Sequence, residues 1–166
     1  MVHPRKDGDK SKSDLARTPP CLFNKLKSRF PFTIDCAADA TNHLAPIWYD
    51  DFLREDIHFH EGDVAYCNPP YSPGSILPFT KKCYEESLNG ATVVMLLPAD
   101  TSTGYFRDYC MKASEIIFIQ PRVHFNNPDG TTMTGAPKFG SMVVVFRQED
   151  FDGSPVVSSM DWRDAK

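Results

Sequence analysis

The middle of the chain alternates between apolar runs of strand length and amphipathic stretches of helix length. Residues 91–97 (ATVVMLL) form a continuous apolar run, typical of a strand buried on both faces of a parallel sheet. Apolar positions at helical spacing across residues 75–88 predict a helix before this run, and Gly90 marks its end. Residues 102–111 predict a second helix and residues 114–119 a further strand. This alternation indicates an α/β fold, with helices packed on a mostly parallel sheet.

The N-terminal half follows the same pattern less clearly. Thr18 precedes two prolines and a set of apolar residues at helical spacing, so we expect it to cap the N-terminus of a helix. Residues 32–35 and 63–67 are predicted to be short buried strands, and residues 49–55 a modest helix. The two predicted strands would therefore flank the predicted helix at residues 49–55 in the sequence.

The C-terminal part predicts how the sheet closes. Residues 122–125 and 141–146 flank a loop with glycine and proline, and we expect them to form an antiparallel pair. The chain therefore divides into three segments. They are a polar flexible tail (1–16), one folded domain (17–147) and an acidic C-terminal extension (148–166).

Composition and charge exclude several classes of protein. The 166 residues suit one domain, and no apolar run is long enough to span a bilayer. The N-terminus is polar and lacks the apolar stretch of a signal peptide, so we expect a cytoplasmic protein with no membrane partner. The net charge is −4 and no segment is strongly basic. Nucleic-acid binding is therefore not predicted by composition and must be argued from a site.

Cysteine and histidine spacing does not predict a metal centre. The five cysteines are odd in number and include no C-x-x-C pair, which favours reduced thiols over a disulfide framework or a zinc ribbon. His58 and His60 would lie on one face of a strand, but no further ligands accompany them in the sequence. We expect no metal.

The stretch YCNPPYS, residues 66–72, carries the chemistry that the pattern alone does not reveal. Pro69 and Pro70 end a strand because neither has a backbone N–H for a sheet hydrogen bond. Asn68 would then lie at the carboxyl end of a parallel strand, where α/β proteins bind ligands, as would Asp35. A plain turn is the competing interpretation, because Asn-Pro and Pro-Pro are common turn dipeptides.

The functional groups of this stretch suit a planar amino group. The Asn68 side-chain carbonyl and the backbone carbonyl of Pro69 are two acceptors, and the proline nitrogens donate nothing that competes. Tyr71 adds a flat aromatic face. Two acceptors draw the lone pair of an –NH₂ nitrogen out of conjugation, and an amino group on a nucleic-acid base must leave the duplex to be reached.

The chain resembles the small DNA adenine N6-methyltransferases of phages and prophages, the Dam-like group. The resemblance runs from about residue 18 to residue 146. It rests on these stretches: RTPPCLF (17–23), FTIDCAAD (32–39), AYCNPPYS (65–72), VVMLLPADTST (93–103), RVHF (122–125) and SMVVVF (141–146).

The resemblance implies a compact Rossmann-like methyltransferase sheet and direct methyl transfer from S-adenosylmethionine to a flipped-out adenine of double-stranded DNA, without a metal. It assigns catalysis to Asn68, Pro69, Pro70 and Tyr71. The residues implied for the cofactor are Thr18, Pro19, Asp35, Cys36, Ala37 and Asn68, and those implied for the base are Tyr71 and Phe125. The implied location is the cytoplasm of a bacterium or of a phage-infected host, and the oligomeric state is left open.

The chain departs from larger methyltransferases in its first half. The turn after the first strand is CAAD and lacks glycine, and only 33 residues separate Asp35 from Asn68. The first half of the sheet is therefore expected to be abbreviated. The acid that holds the cofactor ribose stays open among Asp39, Asp50, Asp51 and Asp63.

Two other functions remain compatible with the motif. Enzymes that methylate glutamine amides in proteins, or amino groups in RNA, act on planar –NH₂ groups as well. A non-catalytic α/β module that binds nucleic acid is the alternative of a different class. The pairing of a Thr-Pro element with NPPY favours a working methyltransferase.

Overall fold

The computed structural model describes residues 12–135 and 137–163, which form a seven-stranded sheet in the order β2-β1-β3-β4-β6-β5-β7. The strands are β1 (Ile34–Asp35), β2 (Ile47–Trp48), β3 (Val64–Cys67), β4 (Thr92–Pro98), β5 (Glu115–Gln120), β6 (Ser141–Phe146) and β7 (Val156–Asp161). All neighbouring strands are parallel except that β6 is antiparallel to both β4 and β5. The expectation of a mostly parallel α/β sheet is confirmed.

The antiparallel strand β6 does not have the partner that its sequence neighbourhood suggests. Residues 122–125 are not a strand, because both edges of β6 are already occupied by β4 and β5. The 122–125 segment instead buries Val123 and Phe125 beside the sheet, and the Phe125 carbonyl accepts a hydrogen bond from the backbone of Met133. The predicted antiparallel pair is present as β5 and β6, but the assignment of residues 122–125 to it was wrong, and this segment lines the candidate site instead.

Helices cover both faces of the sheet, as expected. Helix α1 (Pro20–Arg29) buries Leu22, Phe23 and Leu26 against one face. Helices α2 (Ile76–Ser87) and α3 (Gly104–Asp108) lie on the other, where Phe79, Cys83 and Tyr105 join the core. Strand β4 is buried on both faces, which explains its uninterrupted apolar sequence.

Three local predictions differ from the structure. Pro19, not Thr18, is the N-cap residue of α1, and the Thr18 hydroxyl is engaged elsewhere. The helix predicted at 102–111 divides into α3 and a 3-10 turn at Cys110–Lys112, because the chain must bend there to enter β5. Residues 49–55 form turns, since Phe52 is fully buried and stacks on Phe59 at 5.4 Å.

The first half of the sheet is abbreviated. Within the described residues, only the two-residue strand β2 lies between β1 and β3, and no helix does. Residues 1–11 of the predicted tail lie outside the described residues, and Lys12–Leu15 form a 3-10 turn. The domain boundaries stay a prediction. None of the helices in the described part of the chain is long and apolar enough to cross a membrane.

Candidate active site

The carboxyl ends of three adjacent strands place the predicted residues on one rim of the sheet. Asp35 is the last residue of β1, and Asn68 directly follows β3. Asp35 pairs in register with Tyr66, so only one residue separates its partner from Asn68. Pro98 ends β4 at the same edge, because β3 and β4 are parallel. The rim that the sequence indicated is therefore present.

The two ends of the Asn68 side chain have different surroundings. Its Nδ2 group donates to Thr18 Oγ1 at 3.3 Å and to the Ala16 carbonyl at 3.4 Å. Its Oδ1 atom is buried and, among the described residues, accepts no hydrogen bond. A buried acceptor without a donor is rare in folded proteins and points to a ligand that supplies one.

Tyr66 anchors this arrangement from inside the sheet. Its hydroxyl lies 2.6 Å from Thr18 Oγ1, and its side chain is fully buried. Burial raises the pKa of Tyr66 far above its ordinary value, so the phenol stays protonated. The chain of contacts Tyr66–Thr18–Asn68 holds the Nδ2 end of the amide and leaves Oδ1 as the end without a partner among the described residues. Sequence analysis missed Tyr66, although its place two residues before Asn68 in a strand puts both on the same side.

Aromatic rings surround the next part of the rim. The Tyr71 hydroxyl donates to the Leu96 carbonyl at 2.8 Å, which fixes the ring. Phe125 and Phe139 meet Tyr71 edge to face, with centroids 5.9 and 5.7 Å away and interplanar angles of 84° and 60°. All three line a cavity of about 520 Å³, together with Met133.

The angles between these rings limit how a planar ligand can bind. A flat ring stacked on Tyr71 meets the nearly perpendicular Phe125 at its edge, so only one of the two rings can stack on a given base. Phe139 is partly exposed at the mouth of the same cavity. Sequence analysis missed Phe139, because nothing in the loop sequence shows that it returns to Tyr71.

A second cavity, of about 310 Å³, brings together most of the residues predicted for the cofactor. Its lining includes Thr18, Asp35, Ala37, Asn42, Tyr66 and Asn68. Pro19 is buried and does not line it. The Cys36 side chain is fully buried in the core on the other face of the sheet, so only the backbone of this residue is near the cavity.

Asp35 is a buried carboxyl group in the wall of this second cavity. It accepts hydrogen bonds from the backbone N–H groups of Leu44, at 3.0 Å, and Ala37, at 3.3 Å. Burial raises the pKa of Asp35, and these two bonds and the charge of His43 oppose the rise. A cationic group in the cavity would favour the ionised form.

A third cavity, of about 470 Å³, adjoins the second through Ala37 and Asn42. It also contains Pro70, from the NPPY motif, and two of the four acids that the sequence left open, Asp39 and Asp50. Pro69 is buried beneath the loop and lines none of the three cavities.

The segment before α1 lies between the three cavities. Ala16 lines all of them, and Asp14 accepts a hydrogen bond from the backbone N–H of Ser72 at 2.8 Å. Arg17 and Asn126 exchange backbone hydrogen bonds of 2.8 and 2.9 Å. The segment thus joins the NPPY loop to the loop that follows residue 125.

Comparison with known proteins places this geometry in a family. The sequence profile of DNA N-6-adenine-methyltransferase (Dam) matches residues 6–165. The chain belongs to this family. It is 32% identical over 152 residues to the DNA N-6-adenine-methyltransferase of Haemophilus phage HP1 (strain HP1c1), with 87% of this chain and 85% of that protein covered. It is also 32% identical over 111 residues to the DNA N-6-adenine-methyltransferase of Escherichia phage T1, with 64% of this chain and 45% of that protein covered.

No solved structure matches the chain significantly. The family confirms the resemblance drawn from the sequence: the protein is a methyltransferase, and its mixed sheet with helices on both faces is a Rossmann-like methyltransferase fold. The roles of the individual residues in this Dam methyltransferase stay predictions.

Proposed function

We propose that this protein methylates the N6 amino group of adenine in double-stranded DNA, with S-adenosylmethionine as methyl donor and the target adenine flipped out of the duplex. One observation carries the proposal: the buried Oδ1 of Asn68 has no partner among the described residues. It lies on a rim where an aromatic cavity adjoins polar ones. The names of the two phage relatives support adenine in DNA as the substrate.

The amino group of the base is bound by two carbonyl oxygens. Asn68 Oδ1 accepts one hydrogen of the –NH₂ group, and the Pro69 carbonyl, to which no described residue donates, accepts the other. Tyr71 stacks on the base, and Phe125 contacts its edge. As positive charge develops on the nitrogen, both hydrogen bonds strengthen, which stabilises the transition state more than the ground state.

The second and third cavities suit the cofactor. S-adenosylmethionine would supply an electrophilic methyl group and brings two positive charges, on the sulfonium and on the α-amino group. Burial raises the pKa of the Asp35 carboxyl, so a cation bound beside it would stabilise the ionised form of this group. Thr18 and Ala37 line the same space without bulky side chains that would fill it.

Asp50 is the acid that we assign to the cofactor ribose. It lies two residues after the end of strand β2, lines the third cavity, and makes no hydrogen bond to another described residue. Asp39 lines that cavity too, but its carboxylate accepts from the backbone and hydroxyl of Thr41. Asp63 precedes β3 and so lies at the opposite edge of the sheet, and Asp51 lines none of the cavities.

Positioning explains how the chain accelerates the reaction without a covalent intermediate. The Tyr66–Thr18 contact holds the Asn68 amide with its oxygen toward the base, so no reorientation is needed as the reaction proceeds. Cys67 is fully buried in the core on the other side of the sheet and is not a nucleophile. The phage relatives support the cytoplasm of a bacterium or phage-infected host as the location.

Product identification tests the proposal. The protein is incubated with methyl-labelled S-adenosylmethionine and, in separate reactions, with DNA, RNA and a protein extract, and the digests are analysed for the labelled product. The expected product is N6-methyladenine in DNA only. Label on glutamine of a protein or on RNA would overturn the assignment of substrate. Absence of cofactor binding by calorimetry would show a non-catalytic module.

A further inference from the structure

Three cysteines that are far apart in the sequence meet in the core beneath the active site. Cys36 follows β1, Cys67 ends β3 and Cys83 lies on α2. Their sulfur atoms all lie within 4.8 Å of one another, and all three side chains are fully buried. In residues 12–135 and 137–163, they are the only group of three or more metal-ligating side chains this close together.

The backbone of the fold fixes this arrangement. Asp35 and Tyr66 are paired in register, so Cys36 and Cys67 are the next residues along two adjacent parallel strands. Helix α2 packs over these strands and adds Cys83 from above. Sulfur ligands about 2.3 Å from a central ion lie roughly 4 Å from one another, so the cluster needs only a small contraction to hold one.

The number of ligands argues against zinc. Structural zinc takes four ligands in tetrahedral geometry, and no histidine or carboxylate of the described residues completes this cluster. His58 is paired with Glu86, and its predicted partner His60 is exposed. A three-coordinate ion with a preference for sulfur fits the site better.

Because the cluster is buried, the net charge of the complex determines which ion is favoured. Three thiolates carry three negative charges, so a univalent ion leaves a net charge of −2, a divalent ion −1 and a trivalent ion none. The surroundings are apolar, with Phe52, Phe59 and Phe79 in the same core cluster. Lys82 and Glu86 act on the pKa of Cys83 in opposite directions, and the negative charge of Asp35 raises the pKa of Cys36, so no net positive charge compensates an anionic complex. A buried net charge is costly in such a place, so the neutral complex is favoured.

We propose that Cys36, Cys67 and Cys83 form a three-sulfur binding site for a trivalent thiophilic ion, with the chemistry of arsenic(III). Binding of arsenite forms three As–S bonds, breaks three S–H and three As–O bonds and releases three water molecules. The oxidation states of sulfur and arsenic do not change. No oxidant or reductant is required, and the product is neutral.

The pKa values of the three thiols reflect both their burial and their contacts with one another. Burial raises the pKa of Cys36 and Cys67 well above the ordinary value. Burial also acts to raise the pKa of Cys83, but S–H donation from the other two cysteines outweighs it and lowers that pKa. The three thiols therefore already interact with one another before an ion binds.

The cluster lies close to the functional cavities. Cys36 directly precedes Ala37, which lines two of them, and Cys67 directly precedes Asn68. Phe79 belongs to the core cluster and also lines the third cavity. Phe79 is therefore a side chain shared by the third cavity and the core that contains the three cysteines.

Arsenite titration of the intact protein tests the site. Wild type should bind one arsenite per chain, lose three reactive thiols of its five, and melt at a higher temperature with arsenite than without it. X-ray absorption of the complex should show arsenic with three sulfur neighbours. Cys83→Ala should lose this binding, and Cys110→Ala, which removes an equally buried cysteine outside the cluster, should bind like wild type.

Four outcomes would overturn the site. They are no binding to folded wild type, arsenic with two sulfur neighbours, unchanged binding by Cys83→Ala, and tighter binding of Zn²⁺ than of arsenite. If Cys83→Ala does not fold, the sulfur count in the wild-type complex still decides. These measurements report binding and not methyl transfer, so their failure is distinct from failure of the proposed enzymatic activity.

Discussion

Asn68 illustrates how a single residue combines a stability cost with a functional use. Its buried Oδ1 has no donor among the described residues, and an unmet buried acceptor costs about 1–3 kcal/mol. Its Nδ2 is held by Thr18 and the Ala16 carbonyl, so the amide cannot turn to satisfy the oxygen without losing those bonds. In the proposed reaction, this cost is recovered when the amino group of the base donates to Oδ1.

The Tyr66–Thr18 contact should affect turnover more than cofactor affinity. Tyr66→Phe and Thr18→Val each remove one hydroxyl, which loosens Asn68 and should lower kcat by about tenfold, the effect of one hydrogen bond. Thr18→Ser keeps the hydroxyl and should stay near wild type. Steady-state kinetics and cofactor calorimetry measure both effects.

A purely structural role for this contact would give a different result. Thr18→Val would then lower the melting temperature while kcat stayed at the wild-type value. Equal kcat in Thr18→Val and Thr18→Ser would show that the hydroxyl does not position Asn68.

The carboxyl of Asp35 should make stability depend on pH. Burial raises its pKa above the ordinary 3.8, so the folded state holds the proton more tightly than the unfolded chain does. Wild-type stability is therefore lost as pH rises from the ordinary value through the raised pKa, and Asp35→Asn lacks this loss. The stability of the variant relative to wild type should rise by about 1.4 kcal/mol for each pH unit by which the pKa is raised.

Urea unfolding of both proteins from acidic to neutral pH measures this difference. The same substitution should weaken binding of the cationic cofactor at neutral pH, because the counter-charge is gone. A stability difference that does not vary with pH would contradict the raised pKa.

Strand β7 is the element whose removal tests the predicted domain boundary at residue 147. It pairs with β5 over six residues, and Trp162 donates to the Pro121 carbonyl at 3.1 Å. Its side chains are mostly exposed, including Val156 and Val157. A chain ending at residue 147 should fold but lose about 1–3 kcal/mol of stability, because the entropy of ordering the strand offsets most of its hydrogen bonds.

Chemical denaturation of the shortened chain checks this expectation. A chain ending at Arg163 keeps β7 and should match the full-length protein. Unchanged stability after truncation at residue 147 would show that β7 adds nothing to the domain, and complete unfolding would show that the boundary at 147 is wrong.

The strength of the local pattern of apolar residues determined which helices and strands could be predicted from the sequence. Strand β4 and helix α2 are long enough to show burial on two faces or a helical period, and both were predicted to within a residue or two. Strand β2 has two residues and cannot show a period. The partner of β6 was missed because pairing at a distance depends on which edges are free, which no local pattern records.

The residues of the candidate site also fall into those that the sequence alone could reveal and those that only the complete fold brings together. Asn68 and Tyr71 belong to a contiguous motif with its own chemistry, so the sequence alone was enough to propose them as site residues, and their roles stay predictions. The return of Phe139 to Tyr71 and the meeting of three distant cysteines depend on the complete fold. Residues that meet only through long-range contacts are not marked by any pattern in the sequence around them.

Size and charge of the whole chain predict a short or relaxed recognition sequence. The net charge is −4, and residues of the loop at 126–138 and of the N-terminal segment line the aromatic cavity, where we expect them to contact flanking DNA. Few phosphate contacts give modest, salt-sensitive binding. Mapping of methylated adenines in treated DNA should show a short or degenerate site, and one long strict site would contradict this expectation.

The most direct test removes the Asn68 acceptor and asks whether chemistry is lost while binding remains. Asn68→Ala and Asn24→Ala, the latter on the exposed face of α1, are compared with wild type for cofactor affinity and for N6-methyladenine formed in DNA in a single turnover. Asn68→Ala should bind cofactor within a few-fold of wild type and form no product, and Asn24→Ala should match wild type. Product formation by Asn68→Ala at the wild-type rate would contradict the account.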